Sequence, residues 1–450
     1  MFRTPLARPT VARSALALLL AVAVPGLATP LDEDPIFASG AETLPCTGLA
    51  CLQVNCAPGQ TTTLSGVVYM PNGTLPLPNV KVYVPNTQPG SLPLGPSCDR
   101  CGEPPSGNPI TITTSGADGR FTVVNPPVAT NVPLVLLSGK WRRQVVVPAV
   151  AACTNTTVPG FLTRLPRTRQ EGDMPRIAVA TGAADALESL WRKSGIADTE
   201  FSTGTGTGSV QLYSGQGGTD RFDAASGGQV FGSAQALWAS QANLGAYDLV
   251  TLSCEGGQYP ATKPASALQA MKDYADQAGH VFASHWHNYW IQAGPAPWNT
   301  LATWQSLSNL GAIVADVNLA LPRAQTLSAW LTATGASAVP GTLAITDARH
   351  TVTAVDTSKV RAWIGKAVTA NGQPTVQYFS YATPTIGPPA QQCGRVAFAD
   401  MHANSGDTST VGLGFPSGGC TTSVAQLNPT EKAVLYALFD VQRCLGNDGD

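Results

Sequence analysis

Between residues 61 and 163 short apolar and β-branched runs alternate with turn residues: LSGVVYM, VKVYVP, ITITTS, GRFTVV, VPLVLLSG and WRRQVVVP. Runs of this length, separated by Gly, Pro and Asn, predict an antiparallel β-sandwich. Asp118-Gly119 ahead of Arg120-Phe121-Thr122-Val123 predicts a hairpin turn, because glycine accepts positive φ at no steric cost. After a charged stretch over 164–173, read as a hinge, the period changes. An apolar strand over 175–181 is followed by Ala184, Leu187, Leu190 and Trp191 at helical spacing. A strand over 247–253 precedes a helix over 264–279 with Leu268, Met271, Tyr274 and Ala275 on one side. Further strands are expected at 280–284, 375–381 and 394–402. The last helix is signalled by Asn428-Pro429-Thr430-Glu431, an N-cap, a first-turn proline and a capping-box glutamate. Strands alternating with helices predict an α/β domain over 174–450 with a mostly parallel sheet flanked by helices, its sites at the carboxyl ends of the strands.

The first residues carry a different pattern. Arg3, Arg8 and Arg13 precede an apolar run over 15–24, closed by Pro25 and Gly26 with Ala28 beyond. This is the layout of a secretory signal peptide over 1–28, cleaved near Ala28. The run is shorter than the roughly 20 residues of a membrane-spanning helix. A secreted, periplasmic or surface location of bacterial type is therefore expected, with no transmembrane segment after cleavage. Residues 29–60 lack periodicity and form a cysteine-containing linker.

Composition narrows the partners. Charged residues are 12% of the chain, about half the usual share, and the net charge of −2 comes with no basic cluster, which disfavours nucleic acid and anionic membranes. The ten cysteines of an exported chain predict disulfides. Six of them, Cys46, Cys51, Cys56, Cys98, Cys101 and Cys153, fall in the first third, enough for three bridges there. Cys98-Asp-Arg-Cys101 lacks the second such pair that a zinc site needs, so bridges are preferred. Cys254, Cys393, Cys420 and Cys444 either form two bridges or leave Cys254 as a free thiol, which in an exported protein suggests function.

The chemistry gathers at three predicted strand ends: Ser253-Cys254-Glu255-Gly256-Gly257, then Ser284-His285-Trp286-His287-Asn288-Tyr289-Trp290, and Asp400-Met401-His402. Three readings compete. Cys254 is a thiolate nucleophile with His285 or His287 as base, Glu255 as orienter and the Gly256-Gly257 amides as oxyanion hole. Alternatively His285, His287 and His402, with Asp400 or Glu255, hold zinc or another divalent metal. In the third reading nothing reacts, and Trp286, Tyr289, Trp290, Trp298 and Asp400 line a groove for an envelope glycan, peptide or protein, with no cofactor. The third is preferred; a hydrolase built on Cys254 or on a histidine-bound metal is the alternative. Gly204-Thr-Gly-Thr-Gly208 reads as a flexible loop, and His280 and His350 have no evident partner.

Two resemblances sharpen these expectations. Ser65-Gly66-Val67-Val68, the Gly73 turn, Pro78-Asn79-Val80-Lys81-Val82 and Asp118-Gly119-Arg120-Phe121 resemble the carboxypeptidase regulatory-like domains, transthyretin-like sandwiches with a carbohydrate-binding-like fold. That resemblance implies a spacer or docking module. YDLVTLSCEGG, a helix and then GHVFASH resemble the class I glutamine amidotransferase-like and ThuA-like α/β domains. There the strand over 280–284 implies a sharp nucleophile elbow, where amidotransferases carry cysteine and this chain carries His285 and Trp286. The family's later His-x-Glu pair is missing, since Ala403 and Asn404 follow His402, so a catalytically degenerate relative without glutaminase activity is implied. KWRR, LSCEGG, ASHWHNYW and FPSGGC resemble exported proteins of myxobacterial type, a likeness that brings no activity with it.

Overall fold

Lys81–Pro85 sits second in a four-stranded antiparallel sheet, between Pro109–Thr114 and Thr130–Ser138, with Trp141–Ala149 at the far edge. The strands come from a computed structural model that describes residues 46–403, 414–416, 420 and 427–446. The expected signal peptide and the linker up to residue 45 lie outside the described residues. A second sheet pairs Thr63–Val67 antiparallel with Arg120–Val124 and parallel with Asn155–Thr157. Strict alternation in Arg120–Val124 sends Phe121 and Val123 inward, where they share a core with Val82, Val84, Leu134 and Leu136.

The Asp118-Gly119 turn departs from the expected hairpin. The strand before it, Pro109–Thr114, pairs in one sheet, and the strand after it, Arg120–Val124, pairs in the other. Gly119 has φ +74, and a Cβ there would stand 2.6 Å from the Val68 carbonyl oxygen, so glycine is required by the crossover between sheets.

The larger sheet is mixed. Gly232–Ser233, Val210–Ser214, Ile177–Ala180, Leu249–Leu252, His280–Ser284 and Gly394–Ala399 run parallel in that spatial order. Thr375–Thr383, Val360–Lys366, Gly311–Val317 and Thr342–Ala348 extend it antiparallel. The expected strand at 375–381 is thus present but reversed in direction. Helices Leu187–Lys193, Ala265–Asp276, Pro322–Ala333 and Pro429–Asp440 pack on this sheet, and the last carries the expected capping box between Asn428 and Glu431.

The expected hinge is instead a pinned segment. Arg164 forms a two-pronged ion pair with Glu171, and Arg142 bonds Asp173. One hydrophobic cluster runs from the sandwich into the α/β layers, where Trp141 meets Phe439 at 5.3 Å between ring centroids. Cys98–Cys393 and Cys101–Cys444 bridge the same two parts, while Cys56–Cys153 closes the sandwich. Cys98 and Cys101 therefore do not pair within the first third, as the block of six had suggested; their partners are residues brought close only by the fold. Among the described residues no helix is long and apolar enough to cross a membrane.

Candidate functional site

Leu249–Leu252, His280–Ser284 and Gly394–Ala399 are consecutive neighbours in the parallel half of the sheet, so their carboxyl ends open side by side. His285 comes directly after its strand, while Cys254 and His402 follow theirs after short extensions through Ser253 and through Asp400-Met401. Cys254 Sγ lies 3.5 Å from His285 Nδ1, and His285 Nδ1 lies 3.2 Å from His402 Nε2. The three donor atoms are all within 4.8 Å of one another. These residues are 0%, 2% and 2% exposed, so the cluster is buried, and Cys254 is a free thiol.

The backbone at His285 is unusual. Its φ is +37, at the point where the strand turns sharply into the His285–Asn288 helical turn. A non-glycine residue in the left-handed region costs on the order of 1–3 kcal/mol and persists where the surroundings over-determine it. Here the turn aims Nδ1 at Cys254 and His402.

Residues around the cluster hold it. Asp347 Oδ2 is 3.1 Å from His402 Nδ1, and Arg349 pairs with Asp347 in turn. Burial alone would push the His402 imidazole down; the Asp347 hydrogen bond and the Cys254 contact outweigh it and lift the group to about 10. The same hydrogen bond holds Asp347 down at about 2. Burial, with His402 and Arg349 close by, lowers His285 to about 2, so it is neutral. Asp185 Oδ2 accepts from the Ser284 hydroxyl at 3.0 Å and from the Ala403 amide at 3.3 Å. Glu188 Oε2 accepts from the Ser253 hydroxyl at 3.4 Å. Each of these bonds reaches a residue directly next to a cluster member. Burial pushes Glu188 up to about 8, with the Asp185 charge adding to it.

The other expected site residues lie elsewhere. His287 donates from Nε2 to the Ser253 carbonyl at 2.9 Å and accepts the Trp290 indole N–H on Nδ1 at 3.0 Å, so both its nitrogens are committed and it steadies the Cys254 strand end without joining the cluster. Glu255 is tied to Lys263 at 2.5 Å and to the Gln216 amide at 2.8 Å; it faces a neighbouring cleft lined also by Asp220, Gln235 and Trp238. Asp400 is buried and accepts from the Thr351 and Val352 amides and the Thr351 hydroxyl, a loop-fixing role. Trp290 and Trp298, each in a short helix, belong to the core, packed on Trp238 and Tyr381. Trp286 is half-buried with its ring 4.6 Å from that of His285, and Tyr289 is half-buried. The aromatic groove expected from these residues is therefore not assembled from Trp290 and Trp298.

Sequence reasoning missed Asp347, Arg349, Asp185 and Glu188. Asp347 ends an antiparallel edge strand that has no parallel-sheet pattern, and Arg349 comes just after it. Asp185 and Glu188 sit at the start of a helix, where acidic residues are common for capping reasons alone.

No family model and no curated protein matches the chain. Solved structures give coarse likenesses. A ThuA-like protein from Bacteroides uniformis aligns with 58% of this chain and 88% of its own at 11% identity and a TM-score of 0.31. Cytoplasmic protein STM3548 from Salmonella typhimurium aligns with 60% of this chain and 100% of its own at 12% identity and a TM-score of 0.28. A cohesin–X-dockerin complex from Acetivibrio cellulolyticus aligns with 32% of this chain and 78% of its own at 10% identity and a TM-score of 0.16. None of them bears on which residues act.

Proposed function

We propose that the α/β domain is a metal-dependent hydrolase whose divalent ion, of the zinc class, is held by Cys254, His285 and His402. The observation that carries this reading is the spacing of the donor atoms. Tetrahedral zinc with ordinary bond lengths separates sulfur from nitrogen by about 3.6 Å and nitrogen from nitrogen by about 3.3 Å. The 3.5 Å and 3.2 Å separations at His285 Nδ1 fit both edges. Three protein donors leave a fourth position open, the pattern of catalytic centres; structural ones close with a fourth side chain.

The residues divide the work. Cys254 would ligate through its sulfur. Asp347 and Arg349 both reach His402 Nδ1, at 3.1 Å and 2.9 Å, and with an ion bound Nε2 would offer its lone pair, with the carboxylate support usual for a ligating imidazole. His285 is presented by the elbow and kept neutral by burial. Asp185, Glu188 and His287 fix the backbone beside the donors. A bound ion of this class supplies Lewis acidity and a nucleophile active near neutral pH. Glu255, next to Cys254 in the chain, lines a separate cleft with Asp220, Gln235 and Trp238.

One observation favours a second reading. Asp347, His402 and Cys254 also form a carboxylate–imidazole–thiol series, the arrangement of a thiol hydrolase. The test is hydrolysis of a panel of chromogenic carboxylic and phosphoric esters by the oxidised, full chain. The metal reading expects activity that a chelator removes and zinc restores, and that Cys254→Ser, His285→Ala and His402→Ala each abolish. Activity that survives the chelator and is blocked by iodoacetamide favours the thiol reading. Absence of both activities, in a folded protein that takes up no zinc, refutes the hydrolase.

A further inference from the structure

A second concave site lies at the other end of the same strands. Asp248 immediately precedes Leu249–Leu252, and His280 opens His280–Ser284, so both stand at amino ends, opposite the Cys254 cluster. There the α/β domain meets the sandwich in a cleft of about 240 Å³. That volume is below the roughly 300–1,000 Å³ of drug-sized pockets, so its occupant is small. Leu92, Pro93, Pro105 and Leu137 give it apolar walls.

The polar groups divide into committed donors and acceptors with capacity to spare. Lys140 Nζ donates to the carbonyls of Pro93 and Gly95, and reaches Asp248 only as a long ion pair at 3.5 Å. Arg142 is engaged with Asp173 and the Gly90 carbonyl. Three groups keep hydrogen-bonding capacity: His280, Asp99, and Asp248, which is already paired with Lys140. Asp248 Oδ1 and His280 Nδ1 are shielded from solvent without a hydrogen-bond partner. Asp99 also lines the cleft, and its carboxylate forms no hydrogen bond or ion pair with a described residue. Leaving a buried acceptor unsatisfied is costly, so a ligand that supplies donors recovers that cost.

We propose that this cleft binds a small primary ammonium compound with a short apolar body, its three N–H donors directed to Asp99, Asp248 and His280. Burial raises Asp99 and Asp248 above the usual carboxylate range, against the lowering pull of Lys81, Lys140 and Arg443 on Asp99 and of Lys140 and Arg176 on Asp248. The imidazole of His280, which burial lowers to about 3, stays neutral and does not repel a cation. Asp99 is also pre-organised, because Cys98 and Cys101 on either side of it are bridged to Cys393 and Cys444.

The experiment is isothermal titration of the oxidised, full chain with n-butylammonium chloride, with butan-1-ol and sodium butyrate as neutral and anionic counterparts. Saturable binding of butylammonium alone is expected, with a Kd of the order of millimolar. Asp99→Asn, at a half-exposed position, is expected to weaken it roughly fivefold or more. Leu92→Trp, which enlarges a side chain of the apolar lining, is expected to abolish it. Both variants are expected to keep wild-type metal content, which separates this site from the Cys254 cluster. Equal binding of butan-1-ol, preferential binding of butyrate, no binding of any probe, or an Asp99→Asn variant that binds as wild type would each overturn the proposal.

Discussion

The Asp185 carboxylate and the Ser284 hydroxyl are joined at 3.0 Å, one residue before the strained backbone of His285. The same carboxylate oxygen takes the Ala403 amide, one residue after His402. A single buried group thus spaces two donors of the cluster. Asp185→Asn keeps the shape and replaces one acceptor oxygen with a donor amide, so zinc affinity is expected to fall by about 10–100-fold. Competition with a chromophoric chelator measures this, and unchanged far-ultraviolet circular dichroism shows that folding is retained.

Gly182 packs against the Cys254 strand end. A Cβ there would stand 2.3 Å from the Cys254 carbonyl oxygen and 2.5 Å from that of Ser253. Both obstacles are backbone and cannot rotate away. Gly182→Ala is expected to displace Cys254, lowering zinc content and the melting temperature together; wild-type zinc content in that variant would contradict the placement of the thiol.

Glu188 makes stability depend on pH. Its folded value, about 8, lies above that of an unfolded glutamate, so the folded state binds the proton more tightly. The contribution is full below about pH 4.5 and is lost as pH rises through about 8, a change of the order of a few kcal/mol. Glu188→Gln is expected to remove this loss, so that urea midpoints at pH 6 and pH 8.5 converge in the variant and differ in the wild type.

Asp440 is buried against Arg323 at 2.8 Å and Arg443 at 3.1 Å, while its backbone carbonyl accepts from Arg395. Asp440→Asn removes the anion from this group of guanidinium charges, and a destabilisation of about 3–5 kcal/mol is expected by denaturant unfolding. The adjoining Cys101–Cys444 bridge stays closed in both proteins under oxidising conditions.

Four of the parallel strands were legible from their largely apolar runs, with 280–284 placed to the residue and the turn after it expected from its resemblance; Val210–Ser214 and Gly232–Ser233 carry no such run and were not anticipated. Cys254, His285 and His402 could be grouped for the same reason, since neighbouring parallel strands end side by side and deliver their next residues to one rim. The antiparallel half was only partly readable. Thr342–Ala348 alternates buried and exposed residues at the sheet edge, and nothing local reveals that Asp347 will meet His402. The SHWHNYW segment misled because aromatic residues beside a strand end suit a cleft and a core equally; Trp290 found its partner in His287, three residues before it in the chain. Disulfide partners were beyond sequence logic, as Cys98 and Cys393 are 295 residues apart.

The central claim is tested most directly by the metal content of the oxidised chain after zinc loading and exhaustive dialysis, measured by inductively coupled plasma mass spectrometry beside Cys254→Ser, His285→Ala and His402→Ala. One equivalent of zinc in the wild type and a loss of most of it in each variant is the predicted result. Zinc no higher in the wild type than in the three variants would contradict the account.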